Sequence, residues 1–218
     1  MADHPLSPGG DTLAVLDACT LLPPRLSDVL FDLALEGLYA PHWTAEIEAE
    51  LLRNFQMATG GRSVDGGARR LRAFRGAVNM RHEVFGHMDS AVLGQVPGAV
   101  DEKDVHVASA ALMLARAADP FTDKVFLVTA NLDDLPPAAL SSLGVTVLSP
   151  GAFIDALHAA APERVARALA KAIADLKDPP YTAAELLGAL VLHGAAATVK
   201  TLSKKWRVAP ENKRRRAR

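Results

Sequence analysis

Thr12-Leu-Ala-Val-Leu-Asp17 is a short apolar run that ends in an acid. Such a run predicts a buried strand whose carboxyl end presents Asp17. The segment Leu26–Gly37 follows with apolar side chains at the helical period, and Gly37 is placed to end that helix. A strand followed by a helix is the first indication of an α/β fold.

Two further apolar runs extend this pattern. Val125–Thr129 and Val145–Leu148 both predict buried strands, and the alanine-rich run Val105–Ala118 before them predicts a helix. Alternating helices and fully apolar strands favour a parallel sheet that is covered on both faces. Ligands bind such sheets outside the carboxyl ends of the strands, which is where Asp17 and residues 131–134 are expected to lie.

Beyond Ser149 the chain is predicted to be helical throughout. Ser149-Pro150 opens one helix, Pro162-Glu163 a second, and Thr182-Ala-Ala-Glu185 forms a capping box for a third. We therefore expect a main domain over residues 11–157, a helical C-terminal extension over residues 158–203, and a basic, disordered tail over residues 204–218.

Cysteine content and hydropathy limit the classes of protein to which the chain can belong. Cys19 is the single cysteine in 218 residues, which excludes an intramolecular disulfide and a cysteine-rich zinc site. The first ten residues lack the apolar run of a signal peptide, and no stretch approaches the roughly 18 apolar residues of a membrane span. We expect a soluble protein of the reducing cytoplasm, without a membrane partner.

The net charge of −1 conceals an uneven distribution of charge. Residues 204–218 contain eight Lys or Arg and one acid, which leaves sixteen bases and twenty-four acids in the preceding chain. An acidic body is a poor general binder of phosphate. If the protein handles nucleic acid, we expect it to do so through metal ions and the tail.

The glycine-rich segment from Thr59 to Gly67 is predicted to be a mobile connection. Its glycines do not form a nucleotide-binding phosphate loop, because no Lys-Ser or Lys-Thr pair follows them. The arginines around it are interpreted as a solvated helix face, with the lining of a substrate groove as the alternative.

Acid and amide side chains fall at the predicted ends of several elements. Asp17 follows the first strand, Asp104 begins the helix over residues 105–118, and Asn131 follows the strand over residues 125–129, while Glu50 lies in a helix that Thr44 is placed to cap. Clustered carboxylates repel one another, so such a site usually holds Mg²⁺ or Mn²⁺, and metal-assisted phosphoryl transfer is the chemistry that follows.

Taken singly, each of these positions also has an ordinary interpretation as a turn residue, a helix cap or a solvated acid. The helical period does not isolate Glu50, because Glu46 and Glu48 are close by. From periodicity alone the second acid of the cluster remains ambiguous.

Four ordered strings of the chain resemble the successive motifs of PIN-domain ribonucleases of the VapC toxin type. They are VLDACTLLPPRLSDVL, GLYAPHWTAEIEAELLRNF, VDEKDVHVASAAL and LVTANLDDLP. The resemblance runs from about Leu13 to Leu157, and Pro179–Leu202 is similar to a helical C-terminal extension found in one branch of that family. It implies a PIN-like α/β fold, with a parallel sheet sandwiched by helices and a helical extension.

Carried over to this chain, the resemblance implies that Asp17, Glu50 and Asp104 ligate metal or take part in catalysis, with Asp101 beside Asp104. At the fourth site Asn131 stands where many relatives have Asp, and Asp134 follows it. An amide oxygen can bind a metal ion but adds no negative charge, so we expect a weaker second metal site.

Two nearby residues are given other interpretations. His106 is expected to pack in its helix, because sites of hard oxygen ligands rarely recruit imidazole. Cys19 and Thr20 after Asp17 are similar to a phosphatase nucleophile loop, but the haloacid dehalogenase pattern requires a second Asp at position 19.

The expected function is that of a metal-dependent endoribonuclease, the toxin of a toxin-antitoxin pair, with RNA as substrate and Mg²⁺ or Mn²⁺ as cofactor. The resemblance further implies a cognate antitoxin and a homodimer. The alternatives are a PIN fold that has lost catalysis and serves as a binding module, made plausible by Asn131, and an α/β hydrolase of small phosphate esters.

Overall fold

A parallel sheet lies at the centre of the computed structural model, which describes residues 11–58, 64–78, 81–176 and 181–211. Its strands, in chain order, are β1 (Thr12–Leu16), β2 (Ala40–His42), β3 (Lys124–Val128) and β4 (Val145–Leu148). They lie side by side in the order β2-β1-β3-β4, and each neighbouring pair is parallel. The predicted parallel α/β sheet is confirmed.

Helices connect the strands and cover the sheet. In chain order they are α1 (Ala18–Leu21), α2 (Pro24–Leu35), α3 (Ala45–Ala58), α4 (Val64–Ala77), α5 (Ser90–Leu93), α6 (Val105–Ala117), α7 (Pro137–Ser141), α8 (Pro150–Ala160), α9 (Pro162–Asp175), α10 (Ala183–Leu192) and α11 (Ala196–Trp206). Ala14, Val15 and Leu16 are all completely buried. Because successive side chains of a strand point to opposite faces, both faces of β1 are covered.

The arrangement of the strands creates a crevice at the carboxyl ends of β1 and β3. β2 pairs with one side of β1, whereas β3 pairs with the other side, so the strand order reverses between β1 and β3. In this pairing Leu16 lies opposite Val128, which brings the residues that follow the two strands together. Open parallel sheets bind their ligands at such a reversal point.

The C-terminal helices pack directly on the sheet domain. Arg167 of α9 donates hydrogen bonds of 2.9 and 2.6 Å to the carboxylate of Glu36, at the end of α2. Asp155 of α8 accepts hydrogen bonds from the backbone N–H groups of Ala197 and Thr198, at 3.0 and 2.8 Å. Asp155 therefore caps the first turn of α11 from a neighbouring helix, and this ties α8 to the end of the chain.

Several element boundaries differ from the sequence predictions. The apolar stretch Leu38-Tyr-Ala, read from sequence as a short candidate strand, overlaps β2 only at Ala40, where that strand begins. Gly66 and Gly67, expected in a mobile connection, belong to α4, while residues 59–63 of that connection lie outside the described residues. The third predicted C-terminal helix is divided in two, because Gly194 adopts a positive φ between α10 and α11.

The basic tail also differs from its prediction at its start. Residues 204–206 form the last turn of α11, and Glu211 donates a backbone hydrogen bond of 2.8 Å to the carbonyl of Ala184. Residues 212–218 lie outside the described residues. Among the helices that the structure describes, none has the length and apolar content needed to span a bilayer.

Candidate active site

Asp17 stands at the carboxyl end of β1, with only 3% of the residue exposed. The Thr129 hydroxyl donates a hydrogen bond of 2.7 Å to Asp17 Oδ2, and the Cys19 thiol donates another of 2.9 Å to the same oxygen. Burial and the charge of Asp17 raise the pKa of Cys19 to about 11, so the thiol keeps its proton at neutral pH. Two donors therefore fix the orientation of the Asp17 carboxylate.

Asp104 is the last residue of a 3₁₀ turn, Glu102–Asp104, that leads into α6, and it is 6% exposed. Burial, the charge of Asp17 and, to a smaller extent, the charges of Asp134 and Glu50 raise the pKa of Asp104 to about 6. The Lys103 ammonium acts in the opposite direction without cancelling this effect. Asp104 thus lies in the field of three other carboxylates.

Glu50 of α3 approaches the same cluster. Its Oε1 atom accepts a hydrogen bond of 3.3 Å from the Asn54 amide, and Oε2 lies 3.7 Å from His106 Nε2. The Nδ1 atom of His106 lies 2.9 Å from the carbonyl of Lys103, and a carbonyl can only accept, so Nδ1 carries a proton. His106 Nε2 is buried and has no hydrogen-bond partner in the described structure. The imidazole, predicted to pack in its helix, therefore faces Glu50.

Asn131 joins two of the acids. Its Nδ2 atom donates hydrogen bonds of 3.1 Å to Asp104 Oδ2 and 2.8 Å to Asp134 Oδ2. Lys103 Nζ contacts the same Asp134 oxygen at 2.7 Å. The hydrogen bonds from Lys103 and Asn131 lower the pKa of Asp134 below its usual value. Asp134 therefore differs from Asp104, because its charge is already compensated by donors from the protein.

Asp101 has a different position from the other predicted acids. It is exposed, and its side chain accepts a 3.1 Å hydrogen bond from the backbone N–H of Lys103, which caps the 3₁₀ turn. Its backbone N–H donates to the Asp134 carbonyl at 3.0 Å. The structure thus gives Asp101 contacts that support the turn carrying Asp104.

The two other acids of α3 are directed away from this cluster. Glu48 is buried, accepts a 2.8 Å hydrogen bond from the Trp43 indole and pairs with Arg75 of α4. Glu46 contacts the His87 ring at 2.7 Å. Of the three acids that periodicity left ambiguous, Glu50 is the one whose charge contributes to the raised pKa of Asp104.

The chemistry of the cluster fits a hard divalent cation. Asp17, Asp104 and Glu50 supply carboxylate oxygens, and a Mg²⁺ or Mn²⁺ ion between them would offset the repulsion that raises the pKa of Asp104. In the described residues, no three His, Cys, Asp or Glu side chains are already close enough together to hold one ion. Asp17, Asp104 and Glu50 would therefore have to move closer together to hold an ion, with water supplying the other ligands that Mg²⁺ usually keeps.

Sequence reasoning missed the contribution of Lys103. Its position beside Asp104 in the chain was visible, but its contact with Asp134 depends on the loop after β3, some thirty residues further along. Thr129 was identified only as the end of a predicted strand, whereas its hydroxyl holds Asp17 in the structure.

Comparison with known families identifies part of the chain. Residues 150–204, about a quarter of the 218 residues, match the family model of the VapC50 C-terminal domain. No curated protein and no solved structure gives a significant match. The matched segment starts at the first residue of α8 and continues into α11, whereas the candidate active site lies in the preceding sheet domain.

Proposed function

We propose that this chain, which joins a PIN-like parallel sheet to a segment matching the VapC50 C-terminal domain, is a VapC-type PIN toxin with a C-terminal extension and acts as a metal-dependent endoribonuclease. The observation that supports this activity best is the buried Asp104 carboxylate, whose pKa is raised by burial and by Asp17 at the carboxyl end of β1. Two repelling carboxylates at the reversal point of a parallel sheet favour a site for a divalent cation.

In this proposal Asp17, Asp104 and Glu50 hold Mg²⁺ or Mn²⁺. When bound, the ion supplies Lewis acidity, which makes a water nucleophilic at neutral pH and stabilises charge on the scissile phosphate. The protein's own contribution is positioning. The Thr129 hydroxyl holds Asp17, and the Asn131 amide holds Asp104, so each carboxylate has a supporting hydrogen bond and only a small shift would bring both to the ion.

We further propose that RNA is the substrate and that a cognate antitoxin holds the toxin inactive in the cytoplasm. A homodimer is part of the same proposal, because it belongs to the family resemblance. The predicted division into a domain over residues 11–157 and an extension over residues 158–203 also remains a proposal.

The decisive experiment compares RNA cleavage by the wild type, Asp104→Asn and Asp133→Asn in Mn²⁺. Loss of an outer-shell partner alone reduces metal-dependent activity roughly 10- to 100-fold, so we expect loss of the Asp104 charge to reduce cleavage by more than about 100-fold. Asp133 is an exposed acid of the same loop as Asn131, and Asp133→Asn should cleave like the wild type.

A well-folded Asp104→Asn protein that cleaves RNA normally would refute the assignment of Asp104. EDTA should abolish cleavage by the wild type. If the wild type neither cleaves RNA nor takes up Mn²⁺, the binding-module alternative is favoured. Hydrolysis of a chromogenic phosphate monoester in place of RNA would favour the small-ester hydrolase.

A further inference from the structure

A lysine ammonium from the turn before α6 contacts the loop after β3, beside Asn131, where the second metal site was expected to be weak. Lys103 Nζ lies 2.7 Å from Asp134 Oδ2, and Asn131 Nδ2 lies 2.8 Å from the same oxygen. Both groups present hydrogens to the carboxylate. A lysine ammonium has no lone pair, so it cannot ligate an ion and can only substitute for one.

The Asn131 amide must adopt one orientation in this network. Its –NH₂ group is shared between Asp104 Oδ2 and Asp134 Oδ2, at 3.1 and 2.8 Å. The opposite orientation would place the amide oxygen against the carboxylates, which when ionised have no proton to donate. Donors from the protein therefore occupy the space between Asp104 and Asp134, where the oxygen ligands of a second cation would be needed.

We propose that the Lys103 ammonium and the Asn131 amide take the place of a second metal ion, so that the protein binds one divalent cation per chain, at Asp17, Glu50 and Asp104. This inference rests on the proposed function and assigns Lys103 as a positioning residue. The Lys103 side chain is 65% exposed, so its pair with Asp134 is open to solvent and weak by itself. Its effect depends on Asn131, which links the same carboxylate to Asp104.

The test is the number of Mn²⁺ ions bound by the full chain, measured by calorimetry and by electron paramagnetic resonance. Wild type should bind one ion per chain, with an uncoupled spectrum. Lys103→Ala combined with Asn131→Asp removes the cation and restores a carboxylate, and this double variant should bind two ions. Ions about 3.5–4 Å apart, as in two-metal sites, give a coupled spectrum.

The matched control is Lys103→Arg combined with Asn131→Asp, which keeps a cation beside Asp134. It should bind the second ion at least about 10-fold more weakly than the alanine double variant, the lower end of the range for groups that support metal ligands. Equal affinity in the two double variants would overturn the role of Lys103. Because Lys103 is exposed, its substitution should leave the fold intact, and melting temperatures check this directly.

Three further outcomes separate this inference from the proposed function. A coupled pair of ions in the wild type overturns the inference and leaves the nuclease proposal intact. Failure of the wild type to bind any Mn²⁺ overturns both. A single ion in the alanine double variant overturns the inference alone.

Discussion

At the scale of single residues, ionisation of the buried Asp104 lowers the free energy of unfolding. Its carboxyl group is buried beside Asp17 and has its pKa raised to about 6, whereas an Asp in an unfolded chain titrates near 3.9. Between these two values the folded protein binds more protons than the unfolded chain. Without metal, the stability from protonated Asp104 is fully present below about pH 4 and is lost as the pH rises through about 6.

Substitution of Asp104 by Asn should therefore remove this contribution to the pH dependence of the free energy of unfolding. In EDTA, the melting temperature of the wild type relative to Asp104→Asn should be higher at about pH 4.5 than at about pH 7.5, because the variant keeps a neutral side chain at both values. The amide oxygen of the new Asn can still accept from Asn131. Asp133→Asn serves as the control and should show no such difference. A constant difference between wild type and Asp104→Asn at both pH values would contradict the raised pKa.

The sequence predicts part of this site, and the reason is the position of each residue at the end of an element. Asp17, Asp104 and Asn131 stand where the strand and helix patterns end, so their proximity follows from a parallel sheet. Glu50 was not separable from Glu48 by helical period, because the choice depends on which side of α3 meets Trp43 and Arg75. The role of Lys103 depends on a contact between two loops, and no periodic pattern encodes such a contact.

At the scale of elements, α8 lies against the backbone of the turn that joins α10 to α11. A Cβ atom added at Gly151 would lie 2.1 Å from the carbonyl oxygen of His193 and 2.3 Å from the carbonyl carbon of Gly194. Both are backbone atoms, so neither can rotate away. The absence of a side chain at Gly151 is therefore what allows α8 to contact this turn.

Gly151→Ala should accordingly lower the free energy of unfolding by at least about 1–3 kcal/mol, the usual cost of overpacking. Gly76→Ala is the matched control, because Gly76 also lies in a helix and nothing is within 4 Å of its added Cβ. That control should stabilise the protein by up to about 1 kcal/mol through helix propensity. Urea unfolding of both variants measures the two effects, and a neutral Gly151→Ala would mean that α8 and the turn can separate freely.

The elements themselves were predictable where local patterns and tertiary packing agree. The apolar runs of β1, β3 and β4, and the capping box of α10, correspond to elements in the structure. Gly66 and Gly67 were predicted to lie in a mobile connection, but in the structure they belong to α4. There Gly67 lies close to Leu52 and Phe55 of α3. Close approach of two helices is a tertiary reason for glycine that a local pattern does not contain.

At the scale of the whole molecule, charge is divided between an acidic body and a basic end. The basic segment begins inside the folded region, because Lys204 and Lys205 belong to α11 and Trp206 packs against the core. The backbone contact of Glu211 with Ala184 extends the folded part further. A truncation that leaves the fold intact therefore ends at Glu211 and removes the five Lys and Arg residues between positions 212 and 218.

This truncation should weaken RNA binding in proportion to the phosphate contacts that are lost. For single-stranded RNA, each lost contact lowers the slope of log affinity against log salt by about 0.7. A second variant keeps the length of the tail and replaces its five bases by serine, which separates charge from chain length. Unchanged affinity and salt slope in both variants would show that the tail makes no contact with RNA.

The hydrogen bond between Thr129 and Asp17 joins two residues that are synthesised at different times. The two residues are 112 positions apart in the chain. A ribosome adds about 5–20 residues per second, so roughly 6 to 22 seconds separate the synthesis of Asp17 from that of the Thr129 hydroxyl that orients it. During this interval the emerging chain lacks both Asn131 and β3. If the chain is the nuclease proposed above, it cannot act until more than half of its own message has been translated, and the cell has that interval in which to supply the proposed antitoxin.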